Sequence, residues 1–125
     1  MRNSILLAGI LFLFGCKKEN AGEADTQMPL IMISSPSNNQ VFVAGEQIVI
    51  HATITDNSML GEIHLEITNT TTGAFITHEH YAPDGPSYVL NKTFSAQSSA
   101  TYRIKVEAHD QKGNKAKSQI NISTN

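Results

Sequence analysis

From residue 29 onward, apolar and polar residues alternate along the chain with a period of two. In segment 47–55, every second residue from Ile48 to Ile54 is apolar. Segment 101–109 shows the pattern most clearly, because each residue of one set is apolar or aromatic and each residue of the other is polar or charged. The inward set is Tyr102, Ile104, Val106 and Ala108, and the outward set is Arg103, Lys105, Glu107 and His109. This alternation is typical of strands that bury one face.

Further strand-like segments are separated by residues that favour turns, mainly Asn, Asp, Gly and Pro. They are 30–34, which 40–44 continues as an edge, then 62–68, 74–81, 87–95 and 116–123. No segment after residue 28 has helical periodicity. The pattern therefore predicts an all-β fold, an antiparallel sandwich of about seven strands. It excludes a nucleotide-binding α/β fold, which needs helical crossovers.

The run from Tyr102 to Asn114 has the form Y-x-x-x-V-x-A-x-D-x-x-G-N. It resembles the immunoglobulin-like domains of bacterial surface lipoproteins, the cadherin-like and PKD-like group. Pro36, Gly45-Glu46, Thr55-Asp56 and segment 60–63 match as well. The resemblance implies an immunoglobulin-like β-sandwich over residues 29–125 and leaves the ligand open. By pattern Tyr102 fits a tyrosine corner, whereas the antibody-type cysteine pair and core tryptophan are absent.

The first 15 residues have the composition of a secretory signal peptide. They contain one basic residue, an apolar run over 5–14 and Gly15, and the chain's single cysteine follows as Cys16. Leu13-Phe14-Gly15-Cys16 resembles the bacterial lipobox, which implies cleavage before Cys16 and acylation, palmitate included, of that residue. The alternative is an ordinary signal peptide with an incidental cysteine. The apolar run is too short to span a bilayer, which needs roughly 20 residues.

Residues 16–28 are polar and predict a lipidated cysteine followed by a flexible linker. The chain is thus divided into a signal peptide (1–15), this tether (16–28) and one domain (29–125). The expected location is the bacterial cell envelope, at the outer membrane, with the N-terminal lipid as the membrane contact.

The composition and motifs exclude several classes of function but do not identify one. The formal net charge is −2, which gives no electrostatic footprint for nucleic acid. No phosphate-binding loop, nucleophile elbow, zinc-protease motif or CxxC pair is present. We therefore expect no enzyme, no catalytic residue and no cofactor.

Two loops are expected to meet at one end of the sandwich, the one after the second strand (47–55) and the one after the sixth (101–109). They carry Asp56, Asn57, Asp110 and Asn114. Such an oxygen-rich cluster suits calcium, which takes six to eight oxygen ligands. The alternative is that these side chains close their own turns.

Four histidines lie on outward faces of strands expected to be neighbours: His64, His78, His80 and His109. His78 and His80 share one face because they are two residues apart. If the rings meet, they suit zinc or copper. The alternative is four solvated side chains, because a slip of one residue in register would separate them. His51 is expected on the opposite sheet.

Taken together, these patterns predict a lipid-anchored envelope module that acts in protein interaction or as a structural element. The partner would be an envelope protein or a glycan. Two alternatives remain open, a glycan-binding accessory module and a metal-binding domain that uses the outward histidines. The lack of tryptophan disfavours the glycan alternative, because sugar platforms usually use exposed aromatic faces.

Overall fold

The computed structural model describes residues 22–125, so the predicted signal peptide and Cys16 lie outside the described residues. The described residues form eight β-strands. They are β1 (Leu30–Ser35), β2 (Val41–Phe42), β3 (Gln47–Thr55), β4 (Leu60–Asn69), β5 (Phe75–Tyr81), β6 (Ser87–Ser95), β7 (Thr101–Asp110) and β8 (Lys115–Thr124). This part of the chain contains no helix of the length and apolarity needed to cross a bilayer.

The strands form two sheets that pack face to face. One sheet has three strands in the order β1-β3-β6, and the other has five in the order β2-β8-β7-β4-β5. All pairings are antiparallel except that of β2 with β8. The prediction of an all-β, immunoglobulin-like sandwich is confirmed.

The alternating residues of the long strands form the core between the sheets. On β7, Tyr102, Ile104, Val106 and Ala108 are fully buried, as the alternation predicted. The outward residues of β7 are half-buried rather than fully exposed, because β4 and β8 flank this central strand on both sides. The inward faces of β3 and β4 add mainly isoleucine and leucine, and β6 and β8 add Leu90, Phe94 and Ile122.

Tyr102 forms the tyrosine corner that its position predicted. The ring is fully buried and packs edge-on against Phe94, with ring centroids 5.2 Å apart. The hydroxyl oxygen accepts a hydrogen bond of 2.8 Å from the backbone N–H of Gln97, five residues upstream. This bond ties the β6–β7 connection to the start of β7.

Segment 40–44, which was predicted to continue the first strand, contributes a short strand to the other sheet instead. Val41–Phe42 leaves the sheet of β1 and pairs in parallel with Ser123 and Thr124 of β8, in the opposite sheet. The first edge is thus shared between both sheets, which gives eight strands where about seven were expected. Short segments that switch sheets also shorten the exposed edge of a sandwich.

One lateral edge of the sandwich is closed by polar side chains. Glu79 on β5 accepts hydrogen bonds from Lys92 on β6 and from the hydroxyl of Tyr81. The Lys92 ammonium and, next, the Tyr81 hydroxyl lower the pKa of Glu79. Because β5 and β6 belong to different sheets, this ion pair connects the two layers.

Candidate functional site

The histidines of β4 and β5 lie on the outer face of the five-stranded sheet. The antiparallel register places His64 directly opposite His80, and it places Glu66 opposite His78. Residues directly opposite have Cβ atoms about 5 Å apart, and diagonal neighbours are still within reach of long side chains. The register therefore brings three imidazoles to one patch.

The three rings converge closely enough to share a metal ion. One ligand nitrogen each from His64, His78 and His80 lies within 4.8 Å of the other two. The ring centroids of His64 and His80 are 4.1 Å apart, and those of His78 and His80 are 5.0 Å apart. We call this group, together with Glu62 described next, the histidine site.

Glu62 links two of the rings. Its Oε1 lies 2.9 Å from Nδ1 of His80, and its Oε2 lies 2.9 Å from Nε2 of His64. The second contact has the distance of an ion pair but not the direction of a hydrogen bond, so the buried Nε2 of His64 makes no hydrogen bond. The close approach of His64 and, next, of His80 lowers the pKa of Glu62 to about 2. Glu62 is consequently a carboxylate at every physiological pH.

His109 lies beside the histidine site rather than within it. Its ring centroid is 5.4 Å from that of His64. It is not part of the set whose ligand atoms converge. His51 lies on β3 of the other sheet, as expected, with its Nδ1 2.6 Å from Oδ1 of Asn91.

The oxygen-rich loops also meet at one end of the sandwich, where the chain enters β1. Carboxylate oxygens of Asp56 and Asp110 lie within 4.8 Å of each other and of a third carboxylate, that of Asp25. Asn57 Nδ2 donates to Asp25 Oδ1, at 3.1 Å, and Asn114 Nδ2 donates to the backbone oxygen of Asp25, also at 3.1 Å. Asp25 thereby attaches the predicted linker to the domain.

The same aspartates also close their own turns. Asp110 Oδ1 accepts from the backbone N–H groups of Lys112 and Asn114, each at 2.8 Å, and Oδ2 accepts from Asn114 Nδ2 at 2.6 Å. Asp56 Oδ1 accepts from the N–H and the hydroxyl of Ser58. These bonds give most of the cluster's oxygens a structural role, although Oδ2 of Asp25 and Oδ2 of Asp56 are buried without a donor.

Sequence reasoning missed two residues of these clusters. Glu62 precedes His64 by two positions and so shares its face, which was a usable signal. Nothing in the sequence indicated a role for Asp25, because it lies in a polar segment with the composition of a flexible linker. An open surface pocket lined by Asn39, Thr101, Asn121, Ile122 and Ser123 contains no ionisable side chain.

A family model described as a domain of unknown function, DUF4625, matches residues 14–124. The chain belongs to the DUF4625 family. No curated protein matches this DUF4625 chain significantly.

Solved structures resemble the DUF4625 domain in fold. The fibronectin(III)-like modules of Clostridium thermocellum CbhA are 21% identical, with a TM-score of 0.52 over 76% of this chain and 94% of theirs. A superoxide reductase (neelaredoxin) variant, E23A, from Ignicoccus hospitalis is 12% identical, with a TM-score of 0.57 over 80% of this chain and 82% of that protein. At such identities the likeness shows the sandwich fold alone.

Proposed function

We propose that this chain is a lipid-anchored module of the bacterial cell envelope, held at the outer membrane by acylated Cys16. Its sandwich acts without catalysis, in protein interaction or as a structural element. The observation that supports the anchor is the lipobox-like Leu13-Phe14-Gly15-Cys16 after an apolar run, and the hydrogen bonds of Asp25 with Asn57 and Asn114 support a defined orientation. The tether that follows Cys16 would therefore join the domain at one defined end.

This attachment orients the module relative to the proposed anchor. Eight residues lie between Cys16 and Asp25, so a fully extended chain from one to the other spans at most about 30 Å. The loops 56–59, 82–86 and 111–114 would therefore face the membrane. The loops 43–46, 70–74 and 96–100, at the opposite end, would face away from it and meet a partner first.

The aromatic residues favour a protein partner over a glycan. Tyr102 is buried in the core, and Tyr81 and Tyr88 are half-buried with ring centroids 5.5 Å apart. Of the aromatic residues that the structure describes, only Phe75 is largely exposed. A sugar platform needs a flat exposed aromatic face, and one phenylalanine on an edge strand is a poor substitute.

The anchor is tested by replacing its thiol. Cys16→Ser in the full-length chain should remove acylation, so the protein should leave the membrane fraction or remain as an uncleaved precursor. Asn20→Ser is the matched control, because it changes a nearby polar residue outside the lipobox-like tetrapeptide. Detergent phase separation shows whether each variant is in the membrane fraction. The intact mass shows whether it has been cleaved and acylated. If Cys16→Ser partitions with membranes at an unchanged mass, the lipid anchor is wrong.

The interaction role is tested in intact cells with a photo-crosslinker. At exposed Thr72, on the loop that faces away from the membrane, it should give a discrete adduct with an envelope protein. The same crosslinker at exposed Asp84, at the other end, should not. Equal adducts at both positions would contradict the proposed orientation, and no discrete adduct at either would leave only the structural role.

A further inference from the structure

The histidine site combines features that are uncommon together on a solvated sheet face. Three imidazoles and one carboxylate occupy neighbouring positions on two adjacent strands. His64, on a strand with neighbours on both sides, has a side chain only 21% exposed, whereas the side chain of His80, on the edge strand, is 51% exposed. His64 is thus confined by its surroundings, whereas His78 and His80 are more exposed to solvent.

The distances are compatible with a shared ion. Ligand nitrogens that lie within 4.8 Å of one another need to close to about 3.3 Å, the spacing of donors in a tetrahedron with metal–nitrogen bonds of about 2.0–2.1 Å. His78 and His80 are exposed, so their side chains have room to rotate toward His64. The register of β4 and β5 fixes the two strands by a continuous ladder around the site.

The buried Nε2 of His64 points independently to a ligand. It makes no hydrogen bond, although the large majority of buried polar side-chain atoms in proteins have a partner. Its polar neighbour, Oε2 of Glu62 at 2.9 Å, does not lie in hydrogen-bonding direction, and a metal ion bound by both groups would satisfy this nitrogen.

We propose that His64, His78 and His80 bind a divalent transition-metal ion, with Glu62, which contacts two of the rings, as a fourth ligand, and that the ion is zinc, which three imidazoles and a carboxylate suit. Imidazole and carboxylate together suit zinc, whereas calcium prefers oxygen ligands alone. Copper(II) also accepts imidazole and binds most such sites more tightly, so coordination geometry rather than affinity identifies the preferred ion.

The basic side chains near the histidine site are paired with carboxylates and therefore repel a cation only weakly. On β7, Lys105 lies 3.1 Å from Glu66 and 3.7 Å from Glu107, so its charge is largely compensated. Glu66 on β4 also pairs with Arg103, at 3.6 Å. His109 is the remaining titratable neighbour and adds positive charge only when it is protonated. Glu62 contacts two of the rings and Glu107 lies opposite His64 in the ladder of β4 and β7, so both carboxylates favour a cation at the site.

Metal binding would connect the edge strand β5 to β4. One ligand, His64, and the carboxylate of Glu62 come from β4, and two ligands come from β5, whose other edge is unpaired in the sheet. A ligand that binds only the folded state stabilises it in proportion to its occupancy. Zinc should therefore raise the melting temperature of the chain and slow hydrogen exchange along β5.

The decisive experiment is calorimetric titration of the full-length chain, in detergent, with zinc chloride at pH 7.5. We expect one ion per chain with a Kd of about 1 µM or lower, weaker than the structural zinc sites of zinc fingers. The double variant His78→Ala, His80→Ala should bind zinc at least about 100-fold more weakly. Loss of a residue that only hydrogen-bonds to a metal ligand typically weakens binding by about 10–100-fold. His51→Ala is the matched control, a histidine on the other sheet, and its affinity should be unchanged.

Three further measurements keep the result interpretable. Thermal melting of the metal-free variants shows whether each has folded, and His64→Gln serves as a second test if the double variant has not. Cobalt(II) should give the intense visible absorption of a four-coordinate site. Affinity should fall as the pH is lowered, because histidine ligates a metal only when it is neutral.

Two results would overturn the proposal. The first is no zinc binding by the wild-type chain up to about 100 µM, far above the range of folded zinc sites. The second is an affinity of the folded His78→Ala, His80→Ala or His64→Gln variant equal to that of the wild type. Neither result depends on lipid anchoring or on an envelope partner, so both are distinguishable from a failure of the proposed function.

Discussion

At the scale of single residues, the alternation along β7 separates positions that carry stability from those that do not. Ile104 is fully buried and lies opposite Ile67 of β4 and Ile120 of β8. Lys105, the next residue, points to the outer face and pairs with Glu66. Two neighbours in sequence thus have different physical roles.

Replacing Ile104 by alanine should cost about 2–5 kcal/mol of unfolding free energy, because it removes buried methyl groups and leaves a cavity. Lys105→Ala is the control and should cost about 1 kcal/mol or less, the usual range for ion pairs near the surface. Urea denaturation of both variants measures the difference. Equal losses would show that the assignment of the two faces of β7 is wrong.

At the scale of elements, two glycines set local backbone geometry. Gly61 lies at the bulge where the register of β4 against β7 shifts, and a Cβ there would lie 3.1 Å from the backbone oxygen of Asp110. Gly113, between β7 and β8, has a φ of +92° with no atom within 4 Å of a built Cβ. Gly61 thus allows the backbone of Asp110 to approach closely, whereas Gly113 allows a backbone conformation with positive φ.

Gly113→Val should therefore destabilise the domain by backbone strain alone. A non-glycine residue in left-handed conformation costs roughly 1–2 kcal/mol, and more when it is β-branched. Gly22→Val is the control, because Gly22 has equally open surroundings without a positive φ. Thermal denaturation compares the two variants. A Gly113→Val chain as stable as the wild type would mean that this turn does not need glycine.

At the scale of the whole molecule, the tether is partly joined to the domain. The backbone N–H of Gln27 and, next, the side chain of Asn57 lower the pKa of Asp25, because both donate to its carboxylate. A group whose pKa is lowered by folding contributes stability above its ordinary pKa, and the contribution is lost as the pH falls through the lowered value. The attachment should therefore be intact at neutral pH and weaken below about pH 4.

Asp25→Ala should release residues 22–28 and leave the sandwich intact. A glutamate-specific protease should then cut faster after Glu23 at neutral pH, while the melting temperature changes little. Asp84→Ala is the control, an exposed aspartate at the same end of the domain. Unchanged cleavage in Asp25→Ala would show that the contact does not hold the tether.

The alternation of apolar residues by itself determined the strands, their buried faces and the sandwich. Burial of one face with a period of two leaves little freedom in which residues point inward, so segments 47–55 and 101–109 were assigned correctly from the pattern. The tyrosine corner was also predictable, because one tyrosine at the start of the penultimate strand has a local hydrogen-bond partner.

Only the tertiary structure decided which polar residues meet. Register between β4 and β5 brings His64 opposite His80 and adds Glu62, and the packing of loops brings Asp25 to Asp56 and Asp110. It also moves Val41–Phe42 into the second sheet. Periodicity specifies the face of a strand but neither its neighbour nor its offset, since these depend on hydrogen bonds and contacts between residues far apart in the sequence.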